Sequence, residues 1–542
     1  MGTTPTPQAS AAPTPSEEAK MMPGYNPPTL PASTSASQEG LEAASPEATK
    51  TRWTIMVYIA ADAVLANFGV ESLKQLNEAA GSAPVPGDTA SVVVAAQFSI
   101  DAPGGQTIPR YVFDRNSGSN LGRSLKGHLH APPNMTEQEA LTSFLDWVYK
   151  RDDCQAENYA LILWSHGPEL FLQPPPGTPT GSSGSLYLTP IELRHALKDG
   201  IPPAKAESLK VVGFDACSMS MFEMAYEIRD VAQYMVASQE EVPDLSFPYN
   251  TLVQLVRKYG TNAESLLEQS VRSYVRTYQD YISNAITTMQ PVTLSALRLK
   301  KLDALFSAIG NLASSLLKSL ADTDLPEYLI NAREKSRDYA GGLYVDLVEF
   351  CTYLYQQLYP SIADEEIEAL MIASSAENDA SKDSNEDRSI LNCAISHKKD
   401  IRKACLEVIA ALQVDAHGTS PGAVLINCSG DTRSHGVSLY LPYLTDEQAS
   451  EIVQPMVKGT RDVPAKGFGI ALNASASGYL MNQREDLILD TESYYDELSI
   501  AANTTWYDFI TKFWTRILIS RNSRALDLRY SGVQSAINAI RK

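Results

Sequence analysis

The stretch LKVVGFDACSMS, residues 209–220, is a strand-length apolar run that ends in a carboxylate, a thiol and small polar residues. A second run, YALILW at 159–164, has the same form and ends at Ser165-His166-Gly167. Short apolar runs bounded by polar residues suit buried strands. Working outward, TRWTIMVYIAAD opens the ordered chain near residue 51, with Trp53, Ile55, Val57 and Ile59 alternating with Thr54, Met56 and Tyr58. VVVAAQF at 92–98 is a further apolar strand. Helices are predicted between these runs. VESLKQLNEAA is stopped by Gly81, and MFEMAYEI follows the thiol. In NMTEQEALTSFLDWVYK, Leu141, Phe144, Leu145 and Val148 recur at helical spacing, and Thr136 and Glu139 stand at capping-box spacing. Strands that alternate with helices predict an α/β fold around a mostly parallel sheet. In such sheets the carboxyl ends of the strands carry the site. His166 and Cys217 both stand there.

The chain has 542 residues, 44% hydrophobic and 20% charged, enough for one large domain with insertions or for two to three domains. Its formal net charge of −20 argues against nucleic acid or an anionic membrane as the main partner. The six cysteines, at 154, 217, 351, 393, 405 and 428, form no CxxC pair. Zinc spacing is absent, and such sparse usage fits free thiols in a reducing compartment. No apolar run reaches membrane-spanning length, and the start MGTTPTPQASAAPTP lacks the charged and apolar regions of a secretory signal. A cytoplasmic location is the expectation. MGTTPT also fits the loose myristoylation pattern, which is short enough to arise by chance.

Residues 1–50 are rich in Pro, Ser, Thr and Ala and read as a disordered tail. The main domain is expected over 51–515, followed by a basic tail at 516–542. Two interruptions are expected within the domain. One is a flexible connection at 168–208, which contains PPPGTPTGSSGS; the other is a polar insertion at 374–390, whose core is DASKDSNEDRS.

A thiol becomes a nucleophile when a neighbour takes its proton or stabilises the thiolate. His166 stands 51 residues before Cys217, and each follows a predicted core strand. Gly167 would let backbone N–H groups approach a substrate carbonyl, so Gly167 and the Cys217 amide are the expected oxyanion hole. Taken singly, Cys217 reads as a core cysteine and His166 as an ordinary strand-end residue. Asp215 alone reads as a helix cap.

Together these blocks resemble the clostripain-type cysteine peptidases, within the clan of caspases, gingipains and legumains. WTIMVYIAAD, LILWSHG and VVGFDACSMSMFEMAYE match in order. ASQEEVPDLSFPYN, YVDLVEFC, GVSLYLPYL and ANTTWYDFITKFW support them. The likeness spans roughly residues 51–515. It implies a caspase-like three-layer α/β/α sandwich with C-terminal additions. It also implies endopeptidase cleavage after Arg or Lys, through a His166–Cys217 dyad and a thioester.

By the same resemblance Asp215 lies in the primary specificity pocket, with Asp244 a second candidate that also reads as a turn residue. A carboxylate suits a substrate guanidinium, which it can bind in bidentate fashion. Relatives often mature by a cut between histidine and cysteine, where Arg194, Lys198 and Lys205 are candidate self-processing points. An intracellular peptidase of this kind would need restraint. A latent zymogen, activated by a protease or a regulatory partner, is therefore expected. No cofactor is expected; calcium is known among relatives, but no EF-hand-type loop occurs here. The sequence departs from the family at Pro168-Glu169 after the His-Gly pair, at Leu245-Ser246-Phe247 and at Ala63.

Other readings remain. A binding or scaffold protein on the same fold is one; a cysteine hydrolase of small amides is another. The paired His166 and Cys217 count against the first, and Asp215 against the second. His195, His435 and the five other cysteines read as core or surface residues.

Overall fold

The computed structural model describes residues 51–61, 65–100, 108–117, 120–129, 135–167, 188–284, 291–320, 324–358, 382–413, 422–442 and 498–510, with 512, 513 and 516. The 1–50 tail, the PPPGTPTGSSGS stretch and the 517–542 end lie outside them.

Nine strands form the main sheet. They are β1 (Thr51–Ala61), β2 (Ala90–Ile100), β3 (Ile108–Phe113), β4 (Leu125–Leu129), β5 (Asn158–Trp164), β6 (Leu209–Asp215), β7 (Tyr234–Ala237), β8 (Thr293–Arg298) and β11 (Val424–Ser429). Their order is β11-β8-β7-β6-β5-β1-β2-β3-β4. The five central strands, from β7 to β2, run parallel. The pairings outside them, at both edges, are antiparallel. A smaller antiparallel sheet joins β9 (Asp338–Tyr339), β10 (Tyr344–Asp346) and β12 (Ser438–Tyr440).

The helices follow in chain order: α1 (Ala66–Gly81), α2 (Leu121–Ser124), α3 (Gln138–Tyr149), α4 (Pro190–Gly200), α5 (Phe222–Glu227) and α6 (Tyr249–Tyr259). Then come α7 (Ala263–Asn284), α8 (Leu302–Ser319), α9 (Leu325–Lys335), α10 (Leu347–Gln357), α11 (Lys382–Leu412) and α12 (Ser499–Asn503).

The sheet has a core on each face, which is the three-layer α/β/α arrangement. Alternation along β1 divides its side chains between them. Trp53, Ile55, Val57 and Ile59 pack with α1, α6 and α7. Met56 and Tyr58 pack with α3, α4, α5 and α8. Burying both faces is what makes these strands continuous apolar runs in the sequence.

Three local expectations differ from the structure. The helix α3 starts at Gln138 with Glu137 at its N-cap and no side-chain cap bond there. Thr136 lies before that cap and is buried in the core, so the capping box at Thr136 and Glu139 does not form. A complete capping box stands instead at Thr189 and Glu192, with Pro190 in the first turn of α4. The latter part of the 168–208 connection is accordingly helical, because Leu193, Ala196 and Leu197 bury one face of α4. The third difference is in the polar insertion. From Lys382 onward it supplies the first turns of α11.

Candidate functional site

β5 and β6 are parallel neighbours in which Trp164 stands opposite Asp215. Both strands therefore release their next residues at one edge of the sheet. The Ser165 N–H donates to the Asp215 carbonyl at 3.4 Å. Gly167 then packs on the backbone of Cys217. A Cβ at Gly167 would stand 2.1 Å from the Cys217 carbonyl oxygen and 2.6 Å from its nitrogen. Only glycine permits that approach. The structure thus brings the Gly167 and Cys217 backbones together just beyond Asp215, and His166, the residue before Gly167, is half-buried.

Gly167→Ala is expected to lower stability by about 1–3 kcal/mol, because the obstruction is backbone that cannot turn aside. A fall in Tm measures this. Alkylation of Cys217 by iodoacetamide should also speed up as the packing over it loosens.

Cys217 sits in the turn after β6. Ser218 follows it in the left-handed region, at φ 53°, and its N–H donates to the Glu240 carbonyl at 3.0 Å. A non-glycine residue in that region costs about 1–3 kcal/mol, so the surrounding structure holds the turn. The Cys217 Sγ accepts from the Val242 N–H at 3.3 Å. Burial pushes the thiol up to about 11; the Val242 and Gly167 N–H groups oppose this, and the nearby Glu241 and Asp244 charges add to it. Asp244 itself is exposed on a turn.

The Asp215 carboxylate is 3% exposed. Its Oδ2 accepts from the Ser246 hydroxyl, from the Phe247 N–H at 3.0 Å and from the Tyr249 hydroxyl at 2.7 Å. The Trp164 indole N–H donates to Ser246 Oγ at 2.6 Å, and the Tyr278 hydroxyl donates to the Ser246 carbonyl. Ser246 has φ 69°, so this turn too is held in a conformation that side chains disfavour. Burial raises Asp215 to about 6 although all three hydrogen bonds favour its charged form. Its carboxylate anchors the 246–249 turn. The helix-cap reading does not hold, since α5 begins later, with Met221 at its N-cap.

A second polar group supports the segment that touches the thiol. Gln239 donates to Asp346 Oδ2 at 3.1 Å, and Asp346 Oδ1 meets His435 Nδ1 at 3.0 Å. Arg337 pairs with Glu240. His435, read from the sequence as an ordinary core or surface residue, thus belongs to the scaffold behind 239–242.

The processing candidates are placed elsewhere. Arg194 lies on α4 and pairs with the buried Glu227. Lys198 is in the last turn of α4. Lys205 lies in a 3-10 segment, Pro203–Ser208, where its ammonium donates to the Ala156 carbonyl at 3.2 Å.

Sequence reasoning missed Val242, Ser246, Tyr249, Tyr274 and Tyr278. Their link to Asp215 and Cys217 spans 25 residues or more, with no spacing rule to reveal it. Only the i, i+4 pair Tyr274 and Tyr278 leaves a local trace, as one face of a helix.

Burial pushes Cys154 up to about 12 and also raises Cys351 and Cys428, which keeps these thiols protonated. The Cys393 side chain lies outside the described residues. Among the described residues, no group of His, Cys, Asp and Glu could hold a metal ion, and no helix is long and apolar enough to cross a membrane. An apolar cavity of about 70 Å³ lies between the sheet and α6–α7, lined by Trp53, Ile162, Gly213, Phe247 and Tyr274 among others. Neither His166 nor Cys217 lines it.

Comparison with solved structures finds likeness to an inactive zymogen C11 protease from Parabacteroides distasonis. The identity is 15% and the TM-score 0.45, over 85% of this chain and 99% of that one. A secreted C11 cysteine protease from Bacteroides thetaiotaomicron, in complex with an irreversible peptide inhibitor, is 17% identical with a TM-score of 0.44, over 74% of this chain and 97% of that one. No curated protein matches. The clostripain family model matches residues 57–387, more than half of the chain and including both strand ends that carry the histidine and the thiol. This chain therefore belongs to the clostripain family, peptidase family C11.

Proposed function

We propose that the chain is a cysteine endopeptidase that cleaves after Arg or Lys and is held latent in the form described. The observation that carries the reading is the contact of Gly167 with the Cys217 backbone at the carboxyl ends of two adjacent parallel strands. His166 acts as general base toward the thiol and then as general acid toward the leaving amine. Cys217 attacks the scissile carbonyl and forms a thioester, which water then hydrolyses. The Cys217 amide and the Gly167 N–H donate to the developing oxyanion. Asp215 receives the basic side chain of the substrate; its Oδ1 takes no part in the three bonds that hold Oδ2. Asp244 contributes negative potential at the mouth of the site.

Latency follows from the resting geometry. A thiol pushed up to about 11 is almost wholly protonated at neutral pH, and Asp215 is closed in. Activation has to open the 239–249 segment, through a partner or a cut. Self-cleavage after Arg194, Lys198 or Lys205 would require α4 or the 3-10 segment beyond it to unfold locally, since a peptidase takes its substrate extended. Residues 168–187 contain no Lys or Arg. A cut there calls for a different activating protease.

The reading is tested by labelling. An arginine-based irreversible thiol inhibitor is expected to add to Cys217, as read by peptide mass mapping after activation. Labelling elsewhere, or none after activation, sinks it. In the intact chain, iodoacetamide should modify Cys217 about tenfold faster per pH unit between pH 7 and 10, because only the thiolate reacts. A flat profile over that range would show that the thiol is already activated.

A further inference from the structure

The cluster around Asp215 contains one hydroxyl that the mechanism leaves without a task. Tyr274, on α7, is 2% exposed, and its hydroxyl has no hydrogen-bond partner. Its neighbours are satisfied. Tyr249 donates to Asp215, and Tyr278 donates to the Ser246 carbonyl. The Tyr274 ring meets Phe247 edge-on, with centroids 5.4 Å apart, and Tyr278 likewise at 4.9 Å. Phe247 is the residue whose N–H holds Asp215 Oδ2. Tyr274 is therefore packed directly behind the turn that Asp215 anchors. Burial holds its phenol neutral, and the Asp215 and Cys217 charges both act on it in the same direction. A buried hydroxyl without a partner costs about 1–3 kcal/mol, which selection tolerates more readily where a ligand completes the bond.

We propose that the Tyr274 hydroxyl is a specificity-determining group of the primary pocket, accepting an N–H from the guanidinium of a substrate arginine while Asp215 Oδ1 takes the charge. This rests on the basic-residue reading above and adds a preference for arginine within it. A guanidinium is a planar fork of five donors and rewards two separate acceptors. A lysine ammonium is a compact charge that the carboxylate alone can satisfy. No covalent step is involved, and Tyr274 takes no part in the chemistry at the thiol.

The test uses the full chain, activated by brief chymotrypsin treatment, for which residues 168–187 offer Phe171 and Tyr187, that is then quenched with a serine-protease inhibitor. Matched fluorogenic peptides ending in Arg or Lys are compared for wild type, Tyr274→Phe and Cys217→Ala. Tyr274→Phe is expected to lower kcat/KM for the Arg peptide more than for the Lys peptide, so that their ratio falls about tenfold, as loss of one hydrogen bond to a charged donor should do. Its Tm should stay at or above that of wild type, because the removed hydroxyl has no bond to lose. An unchanged Arg-to-Lys ratio in an active Tyr274→Phe enzyme overturns this proposal alone. So does a fall in Tm, which would show that the hydroxyl is already used inside the fold. A wild type that turns over neither peptide above the Cys217→Ala control overturns the basic-residue reading, and this proposal with it.

Discussion

Cys217→Ala should abolish turnover of Arg and Lys peptides by the activated chain, with a loss of at least about 10⁴-fold, while the melting temperature stays within a few degrees of wild type. The two halves of this expectation have separate origins. The thiol is the proposed attacking group, and among the described cysteine side chains none of the others lies at that strand end. Cys154 and Cys351 are buried, with thiols raised by burial, and Cys428 lies at a strand on the far edge of the sheet. The fold, by contrast, asks little of the sulfur beyond its bond from Val242. His166→Ala should lose a similar amount of activity, and the double variant no more than the worse single one, because the two groups act as a unit. Steady-state rates and thermal melts on the three variants check all of this. Residual activity in Cys217→Ala within tenfold of wild type would remove the nucleophile assignment.

The second expectation concerns Asp215→Asn. Asparagine keeps the size and one carbonyl acceptor for Ser246, Phe247 and Tyr249, but it removes the charge. Loss of one partner from a buried charge pair costs about 2–5 kcal/mol, so kcat/KM for basic peptides should fall roughly 30- to 4000-fold. Stability should move the other way. The folded carboxyl is raised from 3.8 to about 6, so the folded chain holds its proton at pH values where the unfolded chain has released it. Wild type therefore loses stability relative to the variant as pH rises from about 4 through about 6, and the gap stays open above that. Denaturant melts at pH 4 and pH 7.5 measure it. If Asp215→Asn proves less stable at pH 7.5 than wild type, the three hydrogen bonds to the carboxylate outweigh the cost of burying its charge, and the expected order of stabilities is wrong.

How far the site can be read from the sequence depends on the range of each interaction. His166 and Cys217 are legible because each follows a strand buried on both faces, and such strands show as unbroken apolar runs. Thr136 illustrates the limit at short range. Its spacing to Glu139 is right for a capping box, yet the chain turns so that Thr136 is buried and α3 begins after Glu137. Local spacing permits a cap, and packing decides whether it forms. Arg194 and Lys205 show the same for accessibility. Both lie in a connection whose composition suggested a loose loop, and both are tied down in helical turns.

By itself, the sequence determined the alternation of strands and helices, the two apolar strands that end at His166 and Cys217, and the family, since all three rest on patterns written over a few neighbouring residues. Only the tertiary structure decided what surrounds those strand ends. Val242 reaches the thiol across 25 positions, Ser246 and Tyr249 reach Asp215 across 31 and 34, and Tyr274 arrives on a helix from the far side of the same turn. Such contacts leave no period in the chain. They exist because the parallel order of β5, β6 and β7 brings distant segments to one end of the strands, where burial raises both Asp215 and Cys217.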